Sequence, residues 1–339
     1  MIGLGRLWEA RHKPALNRLR DTLKIVAVYD QVRRRSEVEA SQLGCLAAEG
    51  LRELIDHPAV DVIHLLSAQW FGLFPIELAC LAKKAVYCGV PLSGDLAALT
   101  PIAQQVIASG IPFMPEFARR FYPATLRLRE LLAAQLGKPR LIVGHSRFLG
   151  FNRYGEPGPA TQIAPAPLLI DPGAYLLDWC SFLFQAELLA IQGTSSRILP
   201  ETQENPTLGD AGPDFESFSA EFAGGGKAQI SYGRYHRANW GDASKFLPTP
   251  GFQVFTEHGV AWLELPDRIQ WSDAEGNHEE RLPLEPTVGE VLNRQFHRLV
   301  EGEKTLAPTV EDALVIAKRV AEIRQSQAEG RTIRCSGSG

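Results

Sequence analysis

The sequence has no Gly-x-Ser-x-Gly elbow, no phosphate-loop motif and no cysteine–histidine arrangement that would mark a nucleophile, which argues against the common hydrolase and nucleotide-hydrolase chemistries. No apolar run reaches the roughly 18 residues a membrane span requires. The N-terminus lacks the charged-then-apolar pattern of an export signal, so a cytoplasmic location is expected. The five cysteines (Cys45, Cys80, Cys88, Cys180, Cys335) are odd in number and have neither metal nor redox spacing, which predicts reduced thiols packed mostly in the core. No set of histidines has metal-ligand spacing either, and His12, His57, His278 and His297 read as surface residues. A net charge of −4 gives no broad attraction to nucleic acid or anionic membrane. What is present is an ordinary globular composition, 45% hydrophobic and 22% charged, in 339 residues, long enough for two domains with their own cores.

The most informative stretch comes first. Gly3-Leu4-Gly5 opens through Arg6 and Leu7 into a helical pattern, and the β-type run from Lys24 ends on Asp30. This is the order of a dinucleotide-binding βαβ unit. The glycines let the backbone turn tightly against a pyrophosphate at a helix N-terminus, and the acid accepts hydrogen bonds from ribose hydroxyls. Arg33, Arg34 and Arg35, which follow, could receive a 2′-phosphate, but a solvated charge run is the more common outcome of such a pattern. Two features depart from the pattern. Trp8 stands where close helix–strand packing wants a small residue, and only Met1 and Ile2 precede Gly3. The expectation is a misplaced start or an incomplete unit.

Helix and strand then alternate. The run Val60–Leu66 reads as a buried parallel strand, with Ser67 opening the loop at its carboxyl end, and Ala85–Cys88 reads as another, followed by Gly89-Val90-Pro91. Alternation of this kind predicts a doubly wound α/β domain over residues 1–122. Beyond it, a Gly/Pro-rich loop over Gly150–Pro167 and a helix opened by Asp171 and running towards Leu189 precede a run of strands from about Thr194 to Leu282. That run predicts an α+β domain with a large, open, mostly antiparallel sheet over residues 123–308. A C-terminal helix over 309–330 and a flexible tail over 331–339 complete the expected organisation.

Among the residues that carry chemistry, Asp171 and Tyr175 lie one helical turn apart where a loop enters a helix, a workable proton-transfer pair. The competing reading makes Asp171 a helix cap ahead of Pro172 and Tyr175 a core residue. Arg119 and Arg120 follow a strand near the expected cleft and suit an anionic substrate, or an ordinary ion pair. The stretch Tyr232–Trp240, with His236, suits a cleft lining, a subunit contact or a plain sheet face.

Gly3-Leu-Gly5, Asp30, the strand–loop–Pro91 segment, Phe117-Ala-Arg-Arg-Phe121 and Asp171-Pro-Gly-Ala-Tyr175 occur in an order that resembles the glucose–fructose oxidoreductase / inositol dehydrogenase / MocA family over essentially the whole chain. The resemblance implies an N-terminal Rossmann domain, an open-sheet C-terminal domain, NAD or NADP at the cleft, and homodimers or homotetramers built on that sheet. It implies hydride transfer to or from sugars, cyclitols and related carbonyl compounds. Asp30 favours NAD, since a carboxylate there repels a 2′-phosphate. The family pattern is broken where Gly89-Val90-Pro91 replaces Glu-Lys-Pro, so the lysine that polarises the substrate oxygen is absent. The loop usually written Thr-Pro-x-x-x-His reads Ser67-Ala-Gln-Trp-Phe-Gly72. Tyr175 in the last place of Asp-x-Gly-x-His is similar to the glucose–fructose oxidoreductase and dihydrodiol dehydrogenase branches. Three readings follow: an oxidoreductase with an altered site, using Tyr175 as acid/base and Asp171 to orient it; a non-catalytic member binding a nucleotide or sugar as a sensor or assembly subunit; or redox-neutral chemistry within one turnover.

Overall fold

The computed structural model describes residues 1–92, 96–148, 172–197, 213, 215–234 and 251–335. Asp171, the Gly150–Pro167 loop, His236, Trp240 and the last four residues lie outside the described residues.

By its internal contacts the chain forms two units. The first comprises Met1–Ala118 and Glu285–Ala317; the second takes the described residues of 119–162, 172–284 and 318–339. The helix at Val288–Val300, expected with the second domain, therefore belongs to the first unit. Arg119 and Arg120, expected with the first, belong to the second.

In the first unit, β1 (Ala27–Val28) pairs in parallel with β2 (Leu46–Ala47), and β3 (Val62–Leu65) pairs in parallel with β4 (Ala85–Cys88), which pairs with β5 (Phe113–Pro115). Ile2 joins the two groups through parallel bridges to Tyr29 on one side and Leu65 on the other. The order is thus β2, β1, Ile2, β3, β4, β5, the strand sequence of a doubly wound fold whose switch point lies beside Ile2. The backbone of Ile2 is satisfied between its two neighbours. Ile2 N–H donates to His64 O (2.8 Å), Gly3 N–H to Tyr29 O (2.8 Å) and Leu66 N–H to Ile2 O (2.8 Å). The Leu46–Ala47 strand precedes a helix that begins at Leu51. A two-residue strand is too short for a period-two pattern to register.

The helices of this unit are α1 (Lys13–Arg18), α2 (Arg33–Leu43), α3 (Leu51–Asp56), α4 (Ala68–Phe71), α5 (Phe74–Leu81) and α6 (Leu96–Ser109), with α1 preceded by a π-helical turn over Trp8–His12. Trp8 is fully buried in that turn, so the departure from a small residue is accommodated inside the core and not at the surface.

The second unit is built on a nine-stranded sheet. In sequence its strands are β6 (Pro139–Phe148), β7 (Leu188–Ser196), β8 (Phe215–Phe222), β9 (Lys227–Arg234), β10 (Gly251–Thr256), β11 (Val260–Glu264), β12 (Arg268–Asp273), β13 (Gly276–Arg281) and β14 (Ile333–Arg334). Their spatial order is β13-β12-β11-β10-β6-β9-β8-β7-β14. Only β6 and β9 run parallel; every other neighbouring pair is antiparallel. Helix α7 (Pro123–Leu131) lies against β11 and β12, and α8 (Pro172–Phe184) against β6 and β9. Two sequence expectations change here. Helix α8 ends at Phe184, and Leu188–Ser196 is strand, not helix. The tail expected to be flexible from 331 pairs instead through Ile333 and Arg334 with Ile191 and Ala190. Two helices close the sequence, α9 (Val288–Val300), begun by a Thr287–Glu290 capping box, and α10 (Val310–Glu329).

Candidate active site

At the switch point of the first unit, Gly3 has φ of +89°, which a side chain would strain, and a Cβ there would lie 2.3 Å from Ser67 Oγ. Glycine is required twice over, for the turn and for the close approach of Ser67. A Cβ on Gly89 would meet Leu7 Cδ2 at 2.7 Å and Leu66 Cδ2 at 3.1 Å, so Leu7 fills the space above this loop. Gly3, Leu7, Ser67 and Gly89 are therefore brought together. Asp30 joins them: its Oδ2 accepts from Leu4 N–H (2.8 Å) and its Oδ1 from Val32 N–H (2.9 Å), while its own N–H donates to Ser36 Oγ (2.8 Å). Two backbone donors hold the carboxylate in a fixed orientation at the end of β1. Glu9 N–H donates to Gly5 O (3.1 Å), so the helical turn opens at the second glycine. A glycine-only turn that opens into a helix and a fixed acid fit a dinucleotide.

The basic residues in this region are less committed to it. Arg6 is exposed, and Arg33 is exposed and paired with Glu37 (3.0 Å) and Glu49 (3.4 Å) on the surface. It is Arg35 that approaches Asp30, at 4.0 Å.

Behind the sheet of the first unit lies a buried polar network that sequence reading did not find. Glu116, following β5, accepts from Tyr87 Oη (2.6 Å) and His12 Nε2 (3.1 Å) and pairs with Arg11. Asn293 Nδ2 donates to His12 Nδ1 (3.2 Å) and Gly289 O (2.7 Å), and Asn293 Oδ1 accepts from His64 Nε2 (2.8 Å). The partners fix both tautomers, with a proton on Nε2 of each ring. Burial, reinforced by His12, pushes His64 down to about 3. Burial alone would push Glu116 up, but Arg11 and the donors His12 and Tyr87 outweigh it and hold the carboxyl below its ordinary range. His12, read from the sequence as a surface residue, is fully buried. A single histidine in a helical pattern does not reveal a carboxylate a hundred residues away.

In the second unit the two adjacent arginines have opposite fates. Arg120 is buried in a forked ion pair with the fully buried Asp178, Nη2 to Oδ1 at 2.5 Å and Nε to Oδ2 at 3.0 Å. It is committed to the fold and does not serve as the free ligand contact the sequence suggested. Arg119 has no such partner among the described residues. Its Nη2 donates a long bond to Ser146 Oγ (3.4 Å), its guanidinium lies 5.9 Å from the Phe252 ring centre, and Nη1 is enclosed with no hydrogen bond. Burial lowers its pKa from the ordinary value, and the groups that act on its charge are the phenols of Tyr122 and Tyr175 and the thiol of Cys180. Tyr175, near the start of α8 and only half-buried, therefore shares a neighbourhood with an unmatched cation. Pro172 is the first described residue of α8, and Asp171 lies outside the described residues. Asp178, three residues beyond Tyr175 on the same helix, was legible in principle from its spacing.

Residues 1–117 match a family described as an oxidoreductase family with an NAD-binding Rossmann fold, GFO_IDH_MocA. That stretch is thus similar to the family's NAD-binding domain. The chain is 26% identical over 201 residues to an inositol 2-dehydrogenase of Acidothermus cellulolyticus, an alignment covering 58% of this chain and 56% of that one. It is 29% identical over 167 residues to a trans-1,2-dihydrobenzene-1,2-diol dehydrogenase of Mus musculus, covering 48% and 49%. The chain thus spans about half the length of these relatives. The crystal structure of a myo-inositol 2-dehydrogenase from Lactobacillus plantarum superposes with a TM-score of 0.77 at 21% identity, over 99% of this chain and 98% of that one, which establishes a shared fold. Val90, in the loop after β4, is buried (4% exposed). Among the described residues no helix is long and apolar enough to cross a membrane.

Proposed function

We propose that this protein is a nicotinamide-dependent oxidoreductase acting by hydride transfer on a sugar- or cyclitol-like alcohol or carbonyl, with NAD favoured over NADP. The observation that carries the reading is Asp30, fixed by Leu4 N–H and Val32 N–H beside the Gly3 turn, where its carboxylate suits ribose hydroxyls and opposes a 2′-phosphate. The bound nicotinamide supplies or accepts the hydride. The chain's own residues do the rest: Gly3, Leu4, Gly5, Arg6 and Leu7 receive the pyrophosphate, with Ser67 and Gly89 walling the turn. Tyr175 exchanges the proton of the reacting oxygen, with Asp171 orienting it. With Val90 in place of lysine, stabilisation of a developing alkoxide rests on other donors, and losing one such group typically costs about 10²–10³ in rate.

A specific observation favours the non-catalytic reading as the alternative: Leu7 occupies the space a side chain at position 89 would need, so the Glu-Lys pair is lost along with the room for its first member. A titration with NADH and NADPH, followed by the activity of Tyr175→Phe, separates the two. The oxidoreductase reading expects NADH to bind more tightly than NADPH and the variant to lose at least about 10²-fold in turnover with cofactor affinity intact. Binding without turnover across sugars and cyclitols selects the alternative, and unchanged turnover in the variant removes Tyr175 from the mechanism.

We also propose a homodimer or homotetramer through the C-terminal sheet. Leu141, Val143, Phe255, Val260 and Trp262 are neighbours in register on one face of β6, β10 and β11, with Phe255 40% exposed. Sedimentation of the intact chain is expected to show an oligomer that Phe255→Glu/Trp262→Glu dissociates; a monomeric parent chain would remove the proposal.

A further inference from the structure

We infer that the substrate carries a carboxylate and that Arg119 binds it: the ligand class is a polyhydroxy acid, such as a uronic or aldonic acid, and not a neutral sugar. The inference rests on the oxidoreductase reading for its reaction, but its own ground is a charge imbalance within the second unit.

A guanidinium keeps its proton at any ordinary pH, so a desolvated arginine needs an anion. Arg120 has one, Asp178. Arg119, the next residue back, has phenols, a thiol and a hydroxyl around it and no carboxylate among the described residues. Its hydrogen-bonding capacity is underused: Nη1 is enclosed and unbonded, and Nη2 makes only the 3.4 Å contact to Ser146. A guanidinium short of partners is the group that takes a carboxylate by charge-assisted hydrogen bonds. The count of charges selects the acid. One unmatched cation balances one carboxylate, whereas a phosphate dianion needs more positive charge than the described residues leave beside Arg119 once Arg120 is paired with Asp178. The surroundings hold the fork in place. Phe252 lies beneath the guanidinium and can pack against β6 only because Gly144 lacks a side chain, a Cβ there falling 2.3 Å from the ring. Trp179 braces Phe252 at 4.6 Å and is itself tied to Thr125 by its indole N–H (3.0 Å). Arg119 and Tyr175 each keep part of their surface in solvent, so an incoming solute can meet both. In this arrangement the acid group sets orientation and the neighbouring Tyr175 meets the hydroxyls.

The test is equilibrium binding at fixed ionic strength to the full chain, with and without NADH. The probes are glucuronate, galacturonate, mannuronate and gluconate, each beside its neutral parent sugar or polyol and the methyl ester or lactone of the acid, and glucose 6-phosphate. At least one acid is expected to bind ten-fold or more tightly than its neutral counterparts. Arg119→Met should abolish that preference without altering NADH affinity, and Arg119→Lys should restore part of it. No acid preference anywhere in the panel, or a preference that survives in Arg119→Met, overturns the inference; tighter binding of the sugar phosphate than of every acid overturns the carboxylate assignment. An acid preference without NADH binding would leave this site standing and sink the oxidoreductase reading, while NADH binding and turnover with neutral sugars alone would do the reverse.

Discussion

Two buried charge systems in this molecule are built on different terms. In the first unit, Glu116 is met by Arg11, His12 and Tyr87, and the chain of bonds runs on through Asn293 to His64 with each of these donors and acceptors given a partner. In the second, Arg119 is left with an enclosed, unbonded nitrogen one residue from an arginine whose pairing with Asp178 is complete. Burying an ion is costly unless its charge and hydrogen bonds are answered. A matched system is explained by the fold; an unmatched buried guanidinium points to something outside it. The contrast separates the arginine that holds the second unit together from the one that binds.

The sharpest way to break this comparison is to remove one member of each arginine's surroundings. Asp178→Ala strands the Arg120 guanidinium among apolar side chains and is expected to cost about 3–5 kcal/mol in denaturant unfolding. Arg119→Met keeps the apolar stem and deletes an unanswered charge, so its stability should be unchanged or raised by up to about 2 kcal/mol. If Arg119→Met proves as destabilising as Asp178→Ala, its charge is matched within the fold and the distinction collapses.

How much of this was legible in the sequence follows from which forces are local. The Gly3 turn, the acid at Asp30 and the alternation of helices and strands are set by near neighbours, and the doubly wound order and the antiparallel sheet emerged as expected. The errors fall where long-range pairing decides. Leu188–Ser196 carries helix-compatible residues at its start and is strand because Phe215–Phe222 pairs with it. Ile333–Arg334 is ordered because Ile191 is its neighbour. Likewise Arg119 and Arg120 are indistinguishable as letters, and only the tertiary position of Asp178 tells them apart. The burial of His12 depends on Glu116 and Asn293, which no spacing rule connects to it.

Acid should sharpen the comparison from the other side, with a smaller effect. His64 is held near 3 in the folded protein, below its ordinary 6.5, by burial first and by His12 next. Below about pH 6.5 the unfolded chain takes up a proton that folded His64 refuses, so stability falls as pH drops from there towards 3. Glu116 acts in the same direction at lower pH: its folded carboxyl is depressed, and its stabilisation, full above its unfolded value near 4.5, is lost as acid protonates it. The Met1 amine, pushed by burial from 8.0 to about 5, contributes with the same sign over a higher window, so the comparison needs a variant that isolates the imidazole. His64→Gln offers a donor to Asn293 and carries no titrating group. Between pH 6.5 and 4.5 the parent should lose on the order of 2–3 kcal/mol more than this variant, each unit of refused protonation being worth about 1.4 kcal/mol. Parallel profiles for the two proteins would mean that the imidazole accepts its proton in the folded state and that the first unit's network yields to acid as easily as an exposed one. The Arg119 surroundings, with no acid or imidazole among the described groups acting on the guanidinium, should add nothing to that slope, and Arg119→Met should follow the parent across the same range.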